Sequence, residues 1–397
     1  MATGSPRPEL LALLAAVKAD PGDDTVKLVL ADWLQEQDDE ADRARGEFVR
    51  EAAKYDRLGI YHPDRSASAR RREALWEKYH GVWLGPLLKA GFEIDNWSDH
   101  QIHVSASISG IKVVGKKALA TTTSEAYAWV DSLSLDEINS AQLTKFANSP
   151  FLDSLTDFIL LGERVSEDSV AAVVTSPRAA GLQHLLLQKM TVPVEAIANS
   201  PSMARLRSLD LQQTRLTDAG FKALCDSPHL NSLWRLEAIQ NRLTIHAARA
   251  FAEAKGLAAL TRLNLGRNRI GPKGTEILVS GPNAGRLSEL ILWSNGVTDQ
   301  GVEAICKQKH LCNLTHLSLN GNLLTNRSAV AIAAAKNLRG LWYLDLESNG
   351  ISSVGAFALA NSPYLANITR LELERNRIGR KAWAALDARF GDAMLSN

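Results

Sequence analysis

The chain has 397 residues, 45% hydrophobic and 22% charged, with 45 Lys and Arg against 44 Asp and Glu. This balance excludes both a strongly basic nucleic-acid binder and a disordered polyanion. The three cysteines, Cys225, Cys306 and Cys312, are too few and too odd in number for a disulfide framework, so the expected setting is reducing and cytoplasmic.

At the N-terminus, Met1 to Leu14 has no charged stretch ahead of its short apolar run, which argues against a secretory signal. No run of 18 apolar residues occurs, so no membrane span is expected. Leu10, Leu11, Leu13, Leu14 and Val17 predict a helix ending near Asp20-Pro21-Gly22. Asp23 or Asp24 can cap a second helix carrying Leu28, Leu30, Ala31 and Leu34. A third helix runs through Phe48 and Val49 to Leu58, and a fourth spans about Ser66 to Leu88 with Trp76, Trp83 and Leu84 as core residues. Charge is segregated in this region. Residues 20–42 hold nine acids and Lys27 as their base, whereas residues 43–72 hold nine bases, Arg70-Arg71-Arg72 among them, against four acids. Pairing between helices and a two-lobed docking surface both fit that pattern.

Ala31-Asp32-Trp33-Leu34, an acidic stretch, then Arg45-Gly46-Glu47-Phe48 together resemble a small bacterial domain, the repeat-companion domain. The resemblance covers residues 10–50. It implies a helical domain, here residues 1–92, placed ahead of a repeat array, and it assigns no biochemical role. Residues 93–130, with a strand expected at Ile102–Val104, form a connecting or capping segment before the remainder, 131–397.

That remainder is periodic. Leu206, Leu233, Leu260, Leu287, Leu314, Leu341 and Ile368 are each 27 residues apart. Each opens a phrase of the type L-x-x-L-x-L-x-x-N-x-L, clearest in LTRLNLGRNRI from Leu260 and LWYLDLESNGI from Leu341. Weaker copies begin at Leu155 and Leu182, and Leu182 to Leu206 is only 24, so three residues are missing from the helical half of that unit. Val130, Leu133 and Leu135 suggest a preceding strand. Six residues past each Asn column position comes a small residue, Ala247, Gly274, Gly301, Ser328, Gly355 or Ala382, and an apolar one follows four later, a buried helix face. One such unit cannot bury its own leucines, but stacked units share them as a continuous core. The pattern resembles leucine-rich repeats of the ribonuclease-inhibitor-like subclass. This implies an α/β solenoid of about nine 27-residue repeats, with a curved parallel sheet inside and helices outside.

No catalytic motif appears: there is no G-x-S-x-G, H-E-x-x-H or G-x-x-x-x-G-K-[ST]. The expectation is a non-enzyme without cofactor or metal. Gly271-Pro272-Lys273-Gly274-Thr275 lacks the first glycine of a phosphate loop and falls in a strand-to-helix turn. Asp38-Asp39-Glu40 with Asp42 lacks a calcium loop's turning glycine. Cys306, His310 and Cys312 lack a fourth zinc ligand. Asn241, Asn268, Asn295, Asn322, Asn349 and Asn376 read as a structural ladder that satisfies the turns.

Function is therefore expected on the concave strand face, lined by residues alternating with the core leucines. Ile159, Leu161 and Leu186 form an apolar patch at its start, unless the head or residues 93–130 fold over it. Ile239, Ile291 and Trp293 lie mid-array, and Tyr343 two strands further on. Asp345, Glu347, Glu372 and Glu374 make an acidic end, tempered by Arg370 and Arg375. Exposed aromatics beside charges are usual in binding hot spots. Trp293 lying flat on its own sheet, and a plainly solvated acidic end, are the structural alternatives. The reading is a scaffold that binds a partner protein, without nucleic acid or membrane. An inhibitor or sensor of an enzyme and a GTPase regulator are the other classes.

Overall fold

The computed structural model describes residues 7–20, 22–58, 62–89, 92–96, 104–108, 125–136, 138–162 and 164–394. The chain divides into two compact units, Met1–Leu186 and Leu187–Asn397.

The first unit opens with helices α1 (Pro8–Ala19), α2 (Asp24–Gln35), α3 (Glu40–Arg57), α4 (Pro63–Trp83) and α5 (Gly85–Lys89). Asp23 caps α2 by accepting from the Thr25 amide, and Asp39 caps α3 by accepting from Ala41 and Asp42. The fourth helix is broken where the sequence suggested one continuous element. Pro86 cannot donate to the ladder of α4, and the chain restarts as α5 after the fully buried Leu84. Leu10, Leu14 and Val17 of α1 pack with Leu30, Ala31, Leu34, Val49, Ala52 and Trp129. The crossing of α2 and α3 needs glycine: a Cβ on Gly46 would lie 2.7 Å from the Ala31 carbonyl oxygen. The acidic stretch is met by the basic one, through Asp24 with Lys27 and Arg57, Asp56 with Lys27, and Asp32 with Arg50.

In the same unit, β1 (Glu93–Asn96) pairs antiparallel with β2 (Val104–Ile108). Parallel pairing then links β2 to β3 (Val130–Asp136) and β3 to β4 (Asp157–Leu161). Of the strand expected at Ile102–Val104, Val104 opens β2 and the rest lies outside the described residues. Trp129 ties the helices to these strands. The Arg45 guanidinium stacks 3.6 Å from its ring centroid, and Arg7 bonds both Asp42 of α3 and Glu125.

β5 (His184–Gln188) is followed in the second unit by β6 (Ser208–Asp210), β7 (Arg235–Glu237), β8 (Arg262–Asn264), β9 (Glu289–Ile291), β10 (His316–Ser318), β11 (Tyr343–Asp345) and β12 (Arg370–Glu372). From β6 to β12 each strand pairs parallel with the next in a register of one repeat, as in Leu209 with Leu236 and Leu317 with Leu344. These leucines are fully buried. Helices alternate with the strands, and the small residues from Gly220 to Ala382 all lie on their buried sides. The repeat that is three residues short compensates in its helix, Val194–Asn199, of six residues against eight in Asp218–Cys225. The fold is an α/β solenoid preceded by an all-helical region.

Two ladders hold the repeats in register. Asn322 accepts from the amides of Asn295 (2.8 Å) and Val297 (3.2 Å) and donates to the Leu292 carbonyl (2.8 Å), and Asn241, Asn268 and Asn349 repeat the scheme. The second ladder was not expected. Pro177, Pro228 and Pro363 each follow a helix, and the serine before each donates its hydroxyl to a carbonyl of the previous repeat: Ser176 to Ala147, Ser227 to Ala198 and Ser362 to Ala333. Asn283, after Pro282, takes the same role toward Phe251 (3.0 Å).

Candidate interaction surface

In the second unit the residues alternating with the buried leucines of β6 to β12 form one outward strand face. Ile239, Ile291 and Trp293 are half-buried on it. The indole of Trp293 covers Gly266 of the neighbouring repeat, where a Cβ would overlap Nε1 and Cε2 and lie 2.7 Å from Cδ1. The alternative of an aromatic lying on its own sheet is thus part of the answer: Trp293 rests on the glycine and still presents surface. Arg235 pairs with Glu237 (2.9 Å), and Arg262 pairs with Glu289 (3.4 Å). His316 meets Trp342 edge-on at 4.0 Å and lies 5.9 Å from Tyr343. Burial lowers the His316 pKa and raises that of Asp210 and Glu237.

At β11 and β12 the acids converge. Oxygen atoms of Asp345, Glu347 and Glu372 lie within 4.8 Å of one another. Asp345 is only 5% exposed, accepts from Ser318 Oγ (2.7 Å) and accepts from the Glu347 amide (3.0 Å). Its burial pushes its pKa up to about 6, and the charges of Glu372 and Glu347 act in the same direction. Glu347 accepts from Asn320 (3.1 Å) and lies 3.5 Å from Arg375, while Arg370 pairs with Glu372 (2.7 Å) and stacks on Tyr343 (5.3 Å). Burial, helped by Asp345 and Glu372, raises the Tyr343 pKa. Glu374 is half-buried. At the acidic end, buried Asp345 thus holds the Glu347 amide, while Glu372 is held by Arg370 and Glu347 lies near Arg375.

In the first unit, Ile159 and Leu186 are half-buried and Leu161 is 37% exposed, so this patch is not sealed by the described residues. Beside it lies a charge cluster that sequence reasoning missed. The Lys18 ammonium donates to the carbonyls of Val130 (2.7 Å) and Ser154, next to Asp131 and Asp157. Burial drives the Lys18 pKa down and those of Asp131 and Asp157 up, and their mutual attraction partly offsets this. Lys18 follows an apolar helix face, and its partners Val130, Asp131, Ser154 and Asp157 lie more than 100 residues on, so nothing local in the sequence marked it.

The remaining sequence candidates have structural roles. Gly271, at φ 66, opens the helix Gly271–Ser280. His310 Nε2 bonds the Val279 carbonyl (2.9 Å), and burial pushes the Cys306 thiol up to about 12. An open cleft of about 490 Å³ in the helical region is lined by Glu40, Arg43, Glu47, Arg71 and Tyr79, and its charges largely pair with each other. Among the described residues no helix is long and apolar enough to cross a membrane.

Five segments, 205–225, 258–276, 287–306, 310–333 and 341–360, match the family described as Leucine Rich repeat. No curated protein matches the sequence. Among solved structures, the crystal structure of an internalin (inlF) from Listeria monocytogenes str. 4b F2365 is similar at 17% identity and a TM-score of 0.44, covering 80% of this chain and 95% of that one.

Proposed function

Since its matched segments are leucine-rich repeats, we propose that this chain is a non-enzymatic scaffold that binds a partner protein on the strand face of its repeats. Leucine-rich repeat proteins generally act through such interactions; the face and the residues are our assignment. The observation that carries it is Trp293. A large aromatic side chain is held over Gly266, with part of its surface left to solvent. Rigid aromatics of this kind dominate binding energy at interfaces. Tyr343, Glu347, Arg370, Glu372 and Glu374 extend the surface, Asp345 orients them from beneath, and the partner presents basic groups toward Glu372. In the first unit Ile159 and Leu186 offer a separate apolar contact.

We further read residues 1–92 as a repeat-companion-like domain, 93–130 as a capping segment and 131–397 as ribonuclease-inhibitor-like repeats of a bacterial protein. The free cysteines Cys225, Cys306 and Cys312 fit a reducing cytoplasm. Affinity purification with wild type and with a Trp293→Ala, Glu347→Lys double variant tests the surface. A partner recovered by wild type and lost from the variant is expected; equal recovery defeats the assignment. If the recovered partner is an enzyme whose turnover falls on binding, the scaffold acts as an inhibitor.

A further inference from the structure

The edge of the second unit where the strands give way to loops carries a column of arginines. Arg215, Arg242 and Arg269 occupy one register position in three successive repeats, each 27 residues on, and all three are exposed. The asparagine ladder fixes their loops side by side: Asn241 Oδ1 accepts from the Thr214 and Leu216 amides, and Asn268 Oδ1 from those of Asn241 and Leu243. The guanidinium stems therefore start about one strand spacing apart, near 4.8 Å. Among the described residues none of the three forms an ion pair. Exposed Arg267 adds a fourth positive charge and bonds only Gln240 Oε1 (3.3 Å). The acid of the adjoining loop is otherwise engaged: Asp218 accepts from the Thr244 amide and hydroxyl and from the Ala247 amide.

The turns that carry these side chains use the left-handed backbone region, as do the turns of the other repeats. Arg215 and Arg242 are left-handed, at φ 58 and 64, and so is Arg267 at φ 56. Glycine takes two of the equivalent positions, Gly296 at φ 68 and Gly321 at φ 64, while Gln213, Gln240, Ser294, Ser348 and Arg375 share the left-handed turn position of Arg267. One further left-handed residue on the same line is Leu323, at φ 59 and 77% exposed. The arginine row is therefore exposed and without ion pairs among the described residues, and exposed Leu323 lies two repeats beyond Arg269 in the same register.

We propose that this edge binds an acidic, leucine-containing segment of the partner protein, whose carboxylates are gripped by Arg215, Arg242, Arg267 and Arg269. Carboxylates accept both arms of a guanidinium, and the apolar residues between them face Ile239, Trp293 and Leu323. The inference rests on the strand-face reading and adds a direction to it. The acidic part of the partner lies over β6 to β8, and its basic part over β11 and β12.

The test is fluorescence anisotropy of the full chain with a labelled peptide of repeated Glu-Leu-Glu-Gly, beside a Lys-Leu-Lys-Gly peptide and oligo(dT). The acidic peptide is expected to bind at low salt and to weaken steeply as salt rises. An Arg215→Glu, Arg242→Glu, Arg269→Glu variant with unchanged circular dichroism should weaken it at least tenfold, and the milder triple change to Gln by less. Absence of acidic-peptide binding to wild type, or equal binding by the triple variants, overturns the proposal. Tighter binding of oligo(dT) that the arginine changes abolish also overturns it, and gives the edge to nucleic acid. If the arginine variants lose the peptide while Trp293→Ala keeps it, the arginine edge stands and the strand-face anchor falls. The reverse result sinks the edge and spares the anchor.

Discussion

The helical region with its first strands and the later repeats are stabilised in different ways. From β6 to β12 one solution is repeated: a leucine set, an asparagine in each turn from β7 onward and a small residue on each helix. The first unit depends on contacts that occur once, namely Arg45 on Trp129, Lys18 on the carbonyls of Val130 and Ser154, and Arg7 between Asp42 and Glu125. Repetition spreads stability over many equivalent small terms. Single contacts concentrate it on a few residues whose loss has no counterpart elsewhere.

The largest expected effect is therefore in the first unit. Lys18→Met leaves Asp131 without its countercharge and two carbonyls without a donor, which should cost about 3–5 kcal/mol. Hydrogen exchange should rise in α1 and β3, and Asp131→Asn added to it should restore part of the loss. Protection unchanged in both elements would break the contrast. Asn322→Ala should cost about 3 kcal/mol, because three buried bonds and one partly buried bond of one side chain are lost and their backbone partners orphaned. Thermal unfolding measures it, and a loss below about 1 kcal/mol would mean that neighbouring repeats compensate.

Gly266→Val forces the Trp293 indole off its neighbour and should cost about 1–3 kcal/mol by overpacking. A red-shifted tryptophan emission would accompany it, and identical spectra would show that Trp293 does not rest on that glycine. The smallest effect is on pH dependence. The folded carboxyl of Asp345 titrates near 6, above its unfolded value of about 3.9, so the folded state holds the proton more tightly. Its contribution favours folding at low pH and is lost as pH rises from about 4 through 6. Asp345→Asn should flatten the stability curve across that window. An unchanged slope would show that Asp345 titrates normally.

The single tryptophan, acids and arginines of the strand face were readable because strand alternation and a fixed period assign each residue to a side. Trp293, Tyr343 and Glu372 came from that arithmetic alone. What escaped it was pairing: Asp345 buried beneath Glu347, Trp293 seated on Gly266, and the serines before prolines acting as a second ladder. Asp345 with Ser318, Trp293 with Gly266 and the serines with their carbonyls each join residues about one repeat apart, and only the stacking brings them within reach.

The sequence by itself determined the solenoid. A 27-residue recurrence of leucine, asparagine and small residue admits one way for every unit to bury its apolar side, by stacking on the next. It also determined the helical character of the described N-terminal region, through apolar spacing and capping acids. Only the tertiary structure decided how those helices are fastened to the first strands and which charges are buried. Burial of a lysine or an aspartate depends on backbone carbonyls and countercharges more than 100 residues away, as in Lys18 and Val130, and no local pattern records them.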